Sequence, residues 1–347
     1  MMKALVSDLY EHFARLDEEE LEKYERLKQK NKVIDLWNKW HRIHRSPFEK
    51  WLWKSCGTAV HLQDLINMTG TLHLALRLLE VCRHAGLVDI QGDGALQWKQ
   101  PFASWRSRSP ARINDSELRK VNEGRYGQFR ADWTSSELRA HIIHEEIPST
   151  QRIFFCGDDD YSSVALALYG ERDITVGDVD PEVLQRIDSV AEAHHLTMDT
   201  LRFDVEQPAP SDLIGRFHAF HCDPLDSGKG LGLWLLRADE LLSGEVGDTL
   251  FINVSIERLG ARVSYFQQYL MGKGFCLDRI YRNANNYPLS EEPFINRAAL
   301  QQKLNRLELH SLALDTLFIH TDMLVFIRTT DELPLFPQEF IEFRREI

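Results

Sequence analysis

The rhythm of apolar positions changes near residue 151. Before it, Leu5, Leu9, Phe13 and Leu16 recur at spacings of three and four with charges between them, which predicts a helix over 3–30. GTAVHLQDLINMTG and TLHLALRLLEVCRHAG read as two more helices, the first ending at Gly70, the second capped by Thr71 and stopped at Gly86. LVDIQGDGALQW reads as two short strands turning at Gly92-Asp93-Gly94. Two helices followed by a hairpin form a winged-helix pattern, so residues 1–110 are expected to be a helical and winged-helix domain. The polar stretch SRSPARINDS opens a linker region over 111–150, closed by a helix whose expected cap is Thr134 or Ser135.

After 151 strands and helices alternate. QRIFFCGDDD, DITVGDVD, LTMDTLRFDVEQP, FHAFHCDP and GDTLFINVS read as strands. YSSVALALYG, PEVLQRIDSVAEAHH, GLGLWLLRADELL and IERLGARVSYFQQYLMGKG read as the helices between and after them. Such alternation implies an α/β fold, a parallel sheet with helices on both faces. FCLDRIYRNANNYP and LDTLFIHTDMLVFIRT follow with little helix between them and predict an antiparallel hairpin at the sheet edge. The whole is a Rossmann-like, methyltransferase-type sheet over 151–347.

Composition narrows the class. The chain has 53 acidic and 41 basic residues, a net charge of −12. That charge repels phosphates and argues against nucleic acid as partner. Trp37, Trp40, Trp51 and Trp53 lie among Lys39, Arg42, Arg45 and Lys50, but their expected place is a helical core or a dimer interface, with a homodimer as the expected assembly. No apolar run reaches the ~18 residues of a membrane span and no secretory leader is evident. Five widely spaced cysteines with no CxxC pair fit a reducing cytoplasm, and no metal is expected. His141-x-x-His144 and His41-x-x-His44 read as helix-face histidines rather than ligands.

The candidate chemistry stands at the strand ends, where doubly wound sheets bind ligands. Gly157-Asp158-Asp159-Asp160 follows the first strand, Asp178 and Asp180 the second, Asp204 the third, Asp223 and Asp226 the fourth. One acid after a strand is an ordinary helix cap, but acids after four successive strands form a constellation. A dinucleotide loop needs GxGxxG, so that amides can approach a pyrophosphate. Here one glycine and three carboxylates stand instead, which disfavours NAD and ATP. Asp178 or Asp180 lies about 20 residues after Gly157, the spacing of an acid that grips a ribose. The favoured ligand is therefore a cationic nucleoside: S-adenosylmethionine or its decarboxylated form. The three-acid loop opposes the carboxylate of the first and attracts the ammonium of the second.

FFCGDDDYSSVALALYG, ITVGDVDPEVL, RFDVEQPAP and FHAFHCDPLDS together resemble the branched-chain polyamine synthases, the N4-bis(aminopropyl)spermidine synthases. The resemblance implies aminopropyl transfer from decarboxylated S-adenosylmethionine, as co-substrate, to a polyamine amine, with release of methylthioadenosine. It implies a catalytic centre at the Gly157–Asp160 loop. Asp160 is the expected acid nearest the amine, with Asp159 next and Asp223 behind. Gly157, Asp158, Asp178, Asp180 and Asp204 are expected on the donor, and Asp226, Tyr161, Asn286 and Tyr287 on the acceptor. The family's Asp-Pro-Pro becomes Asp223-Pro224-Leu225 here, so a different acceptor, or transfer of a 3-amino-3-carboxypropyl group, is the nearest rival. An ordinary methyltransferase and a transcription regulator with a degenerate small-molecule domain are the others.

Overall fold

The computed structural model describes residues 2–28, 43–100 except 57, 128–224, 228–290, 296–307 and 316–330, with 102, 105, 110–114, 118, 126, 309 and 312. Trp37, Lys39, Trp40, His41, Arg42 and Asp226 lie outside the described residues. The chain divides into two compact units: residues 1–109 with 145–150, and residues 110–144 with 151–347.

The first unit holds helices α1 (Met2–Lys28), α2 (Arg45–Ser55), α3 (Leu62–Thr69) and α4 (Leu72–His84), then β1 (Val88–Ile90) and β2 (Leu96–Trp98). Gly70 ends α3 in the left-handed conformation, and the Thr71 hydroxyl accepts the Leu74 amide to start α4, as the sequence predicts. Strands β1 and β2 pair antiparallel across the Gly92–Gly94 turn. Val6, Leu9, Phe13, Phe48, Leu52, Leu65, Leu78 and Phe102 share one apolar core. Trp53 is buried, and Trp51 packs against that core, so both serve packing.

The second unit is built on one sheet. Its strands are β3 (Ile153–Cys156), β4 (Ile174–Asp178), β5 (Asp199–Arg202), β6 (Ala219–Cys222), β7 (Thr249–Val254), β8 (Phe275–Pro288) and β9 (Phe318–Arg328). They lie in the order β5-β4-β3-β6-β7-β9-β8. The first five are parallel, and β9 runs antiparallel to both neighbours. Every residue of β3, β4, β6 and β7 is buried, as a parallel sheet covered on both faces requires. The predicted hairpin forms, but β9 slots between β7 and β8, leaving β8 at the edge.

The helices are α5 (Trp133–Glu146), α6 (Ser162–Ala167), α7 (Pro181–Ala193), α8 (Gly228–Leu241), α9 (Ile256–Leu259), α10 (Arg262–Gly272) and α11 (Arg297–Arg306). Two local expectations change. The helix foreseen over 256–274 breaks into α9 and α10 at Gly260, whose φ of 54° no helix continues. The cap of α5 is Asp132, whose carboxylate accepts the Ser135 amide at 2.8 Å, rather than Thr134 or Ser135. Residues 110–144, foreseen as part of a linker, group with the sheet because α5 is tied to β8. The Asn286 amide donates to Ser135 Oγ at 2.8 Å, and Asp132 N to the Asn286 carbonyl at 2.8 Å.

Candidate active site

The order of strands reverses between β3 and its two neighbours β4 and β6, and a cavity of about 300 Å³ opens over their carboxyl ends. Gly157 leaves β3 with φ 72°, which lets the acidic loop turn away from the sheet. Gly177 is needed for a different reason: a Cβ there would stand 2.5 Å from the Phe154 ring and 2.7 Å from Phe203. The lining includes Gly157, Asp159, Asp178, Asp204 and Asp223 from the predicted set, and Tyr287 from the late strand. Gln128, Phe129, Trp234, Asn253 and Arg258 complete much of the wall, and sequence reasoning singled out none of them.

The three consecutive acids have three different fates. Asp158 caps α6: its oxygens accept the Ser162 amide at 2.9 Å and the Ser163 amide at 3.1 Å, and the Ser163 hydroxyl also donates to it. Burial pushes its carboxyl up to about 8, against the pull of those hydrogen bonds. Asp160 is clamped: Oδ1 accepts the Ala131 amide at 2.6 Å, and Oδ2 accepts Arg139 Nη1 at 2.5 Å. Only Asp159 reaches the cavity, and its Oδ2 is buried without a hydrogen-bond partner. Burial, then the charges of Asp160, Asp178 and Asp223, hold its carboxyl well above the usual range, with Arg130 acting the other way.

The expected donor residues also separate. Asp178 lines the cavity, and its two oxygens each accept one backbone amide, from Asp158 at 2.9 Å and Asp180 at 2.8 Å. Asp180 instead caps α7, accepting the Glu182 amide at 2.9 Å and Gln128 Nε2 at 2.9 Å. Asp204 is an exposed carboxylate at the cavity rim.

Among the expected acceptor residues, Tyr161 is fully buried with its ring under Arg130, 4.7 Å away, and does not line the cavity. Asn286 binds His320 at 2.8 Å and the start of α5, so it is a structural tie. Lys229, in the first turn of α8, pairs with Glu206 at the surface. Cys156 and Cys222 are buried thiols that burial pushes well above their usual range.

Arg139 was missed. It lies on α5, 1% exposed, and meets Ser162 Oγ at 3.5 Å besides four closer partners. Nη1 donates to Asp160, Nη2 to Asp223 and to Tyr287 Oη (2.8 Å each), and Nε to Asn285 Oδ1 at 2.5 Å. Asn285 and Tyr287 share one face of β8 because they are two residues apart. A register shift between Tyr281 and Asn285, beside Asn283 at φ 50°, sets that face inward. Tyr287 donates its hydroxyl hydrogen to Asp223 Oδ2. Burial works against the Arg139 cation, but Tyr287, Asp160 and Asp223 outweigh it. Burial raises Asp223 to about 6, with Arg139 lowering it. His221, behind them, is kept neutral by burial and by Arg139, and accepts from Asn253 Nδ2 at 2.9 Å. No motif marks Arg139; an isolated arginine in a helix looks like any surface cation.

A mostly parallel sheet with its last strand inserted antiparallel, and an acid-lined cavity at the switch point, define a methyltransferase-like Rossmann fold. Residues 126–335 match the family described as branched-chain polyamine synthase A, C-terminal domain, and the chain belongs to that family. It is 26% identical over 202 residues to an N(4)-bis(aminopropyl)spermidine synthase of Thermus thermophilus, covering 57% of this chain and 55% of that protein. It is 30% identical over 159 residues to an uncharacterized protein of Methanocaldococcus jannaschii, covering 45% of this chain and 40% of that one. The chain thus spans about half the length of the curated relatives it matches. The solved branched-chain polyamine synthase of Thermus thermophilus, in complex with N4-aminopropylspermidine and 5'-methylthioadenosine, has the same fold. Its TM-score is 0.50 at 17% identity, over 93% of this chain and 95% of that one.

Proposed function

We propose that this chain is an aminopropyltransferase that moves an aminopropyl group from decarboxylated S-adenosylmethionine to an amine of a polyamine, releasing methylthioadenosine. The observation that carries the reading is the unpartnered, buried Asp159 Oδ2 at the wall of an acid-lined cavity. A site with carboxylates from four strand ends attracts cations, and both proposed substrates are cationic.

The donor side is formed by Asp178 and Asp204. Asp178 stands at the carboxyl end of β4 on the cavity wall, where a carboxylate accepts ribose hydroxyls. Val179, Phe203 and Val205 offer an apolar slot for adenine next to Asp204, which accepts from the exocyclic amine. Phe129, Trp234 and Tyr287 offer aromatic faces to the sulfonium and ammonium.

The acceptor nitrogen attacks the carbon beside sulfur in line. A C–N bond forms, the C–S bond breaks, and sulfur leaves as neutral methylthioadenosine, so no acid is needed there. The nitrogen sheds one proton. Asp159 is the acceptor for it, in place of Asp160, whose two oxygens are occupied by Arg139 and Ala131. A carboxyl held above its ordinary value is better matched to an amine than an ordinary one. Asp223 holds a second ammonium of the polyamine.

The first unit is read as a winged helix that assembles two chains rather than binding nucleic acid. Its α4 exposes Leu72 and Leu76 on the face that carries Arg83, apolar where a phosphate reader carries cations. Among the described residues no helix is long and apolar enough to cross a membrane. The five cysteines are free thiols, in keeping with the reducing cytoplasm that is part of this reading. Light scattering on the purified chain tests the dimer. The deciding experiment offers each sulfonium donor against linear polyamines and non-polyamine amines, with products read by mass spectrometry. Transfer of a methyl or aminocarboxypropyl group overturns the reading.

A further inference from the structure

Asp159 and Asp223 stand at the cavity wall, Asp160 is buried beside them, and one buried guanidinium binds both Asp160 and Asp223. We infer that Arg139 is a positioning residue of the reaction: by binding Asp160 and Asp223 together it aims Asp223 into the cavity and leaves Asp159 as the carboxylate open to the amine. The inference rests on the aminopropyl-transfer reading.

The geometry is specific. Arg139 is nine-tenths and more buried and absent from the cavity wall, so it meets no substrate. Its fork spans the two acids, with Nη1 on Asp160 at 2.5 Å and Nη2 on Asp223 at 2.8 Å. The Asp223 side chain is 24% exposed, so it is held from behind and open in front. Tyr287, held by the same Nη2, donates to the same Asp223 oxygen, which fixes its rotamer from the β8 side. A planar five-donor cation does this and an ammonium does not, because two divergent carboxylates and an amide must be met at once.

The groups that face Asp223 are Arg139 from α5, Tyr287 from β8, Asp160 and Asp159 from the loop after β3, and the Cys222 thiol and neutral His221 from β6. The Arg139 charge and the Arg139 and Tyr287 hydrogen bonds favour its ionised form, while burial and Asp160 oppose it. Removing Arg139 therefore raises the pH at which Asp223 loses its charge and its hold on an ammonium.

The test follows the pH dependence of kcat/KM for the polyamine in Arg139→Lys, in the double variant Arg139→Met/Asp160→Asn, which removes the guanidinium together with the more buried of its two partner charges, and in Tyr287→Phe. The acid limb is expected to move to higher pH by about one unit in the arginine variants and in the same direction by less in Tyr287→Phe. The KM for the amine is expected to rise about tenfold, while the calorimetric Kd for methylthioadenosine changes less than threefold. Melting curves identify any variant that fails to fold, and Tyr287→Phe then decides. Unmoved acid limbs, or a loss of methylthioadenosine affinity parallel to the loss for the amine, overturn the inference. A wild-type chain that transfers nothing to any amine overturns the underlying reading as well, so the two failures are told apart.

Discussion

Arg139 and Asp223 stand 84 residues apart in the chain and 2.8 Å apart in the structure. That pair, with Asp160, decides which carboxylates of the acidic loop are free to meet a substrate. The first consequence concerns two neighbouring acids. Asp159→Asn is expected to lower the single-turnover rate by ~10²–10⁴, the usual share of a general base, with methylthioadenosine affinity within threefold. Full activity in that variant would move the base to Asp223.

Asp160→Asn is expected to behave in the opposite way. It leaves Arg139 buried with one partner charge fewer, and breaking a buried pair costs about 3–5 kcal/mol. Chemical denaturation should register that loss. The rate of the folded fraction should fall far less than in Asp159→Asn.

Asp178→Ala is expected to weaken decarboxylated S-adenosylmethionine and methylthioadenosine together, because both carry the ribose. Losing a charged acceptor costs about 1.5–3 kcal/mol. The Asp158 and Asp180 amides also lose their partner, so circular dichroism must confirm the fold. Intact binding with lost turnover would place the ribose elsewhere.

The donor choice is electrostatic. Decarboxylated S-adenosylmethionine should bind at least tenfold more tightly than S-adenosylmethionine, about 1.4 kcal/mol, because Asp159 and Asp223 oppose the donor carboxylate. Equal affinities by calorimetry would count against the acidic loop as the discriminating element.

Asp223 also gives stability a pH dependence. Its carboxyl is raised from 3.8 to about 6 by burial, so the folded state holds an extra proton between those values. Stability from this group is therefore present below pH about 4 and lost as pH rises through about 6. Asp223→Asn should flatten the fall between pH 4.5 and 6.5 in urea titrations. An unchanged slope would show that Asp223 does not carry it.

The sequence by itself determined the alternation of strands and helices, because apolar periodicity and caps are local properties. Thr71 and Gly70 act within one turn, and each is found in its role. It also determined that acids line the ligand end of the sheet, since strand ends in a parallel sheet all face one way. It could not tell which acid is free. Asp158, Asp159 and Asp160 share one residue type and one loop, and differ only in what meets them: two α6 amides, open cavity, or a guanidinium. Arg139, Asn285 and Tyr287 come from elements 146–148 residues apart, joined by α5 docking and a bulge in β8. No local pattern encodes such a contact, because its energy comes from burying charges together and is realised only once the sheet has closed.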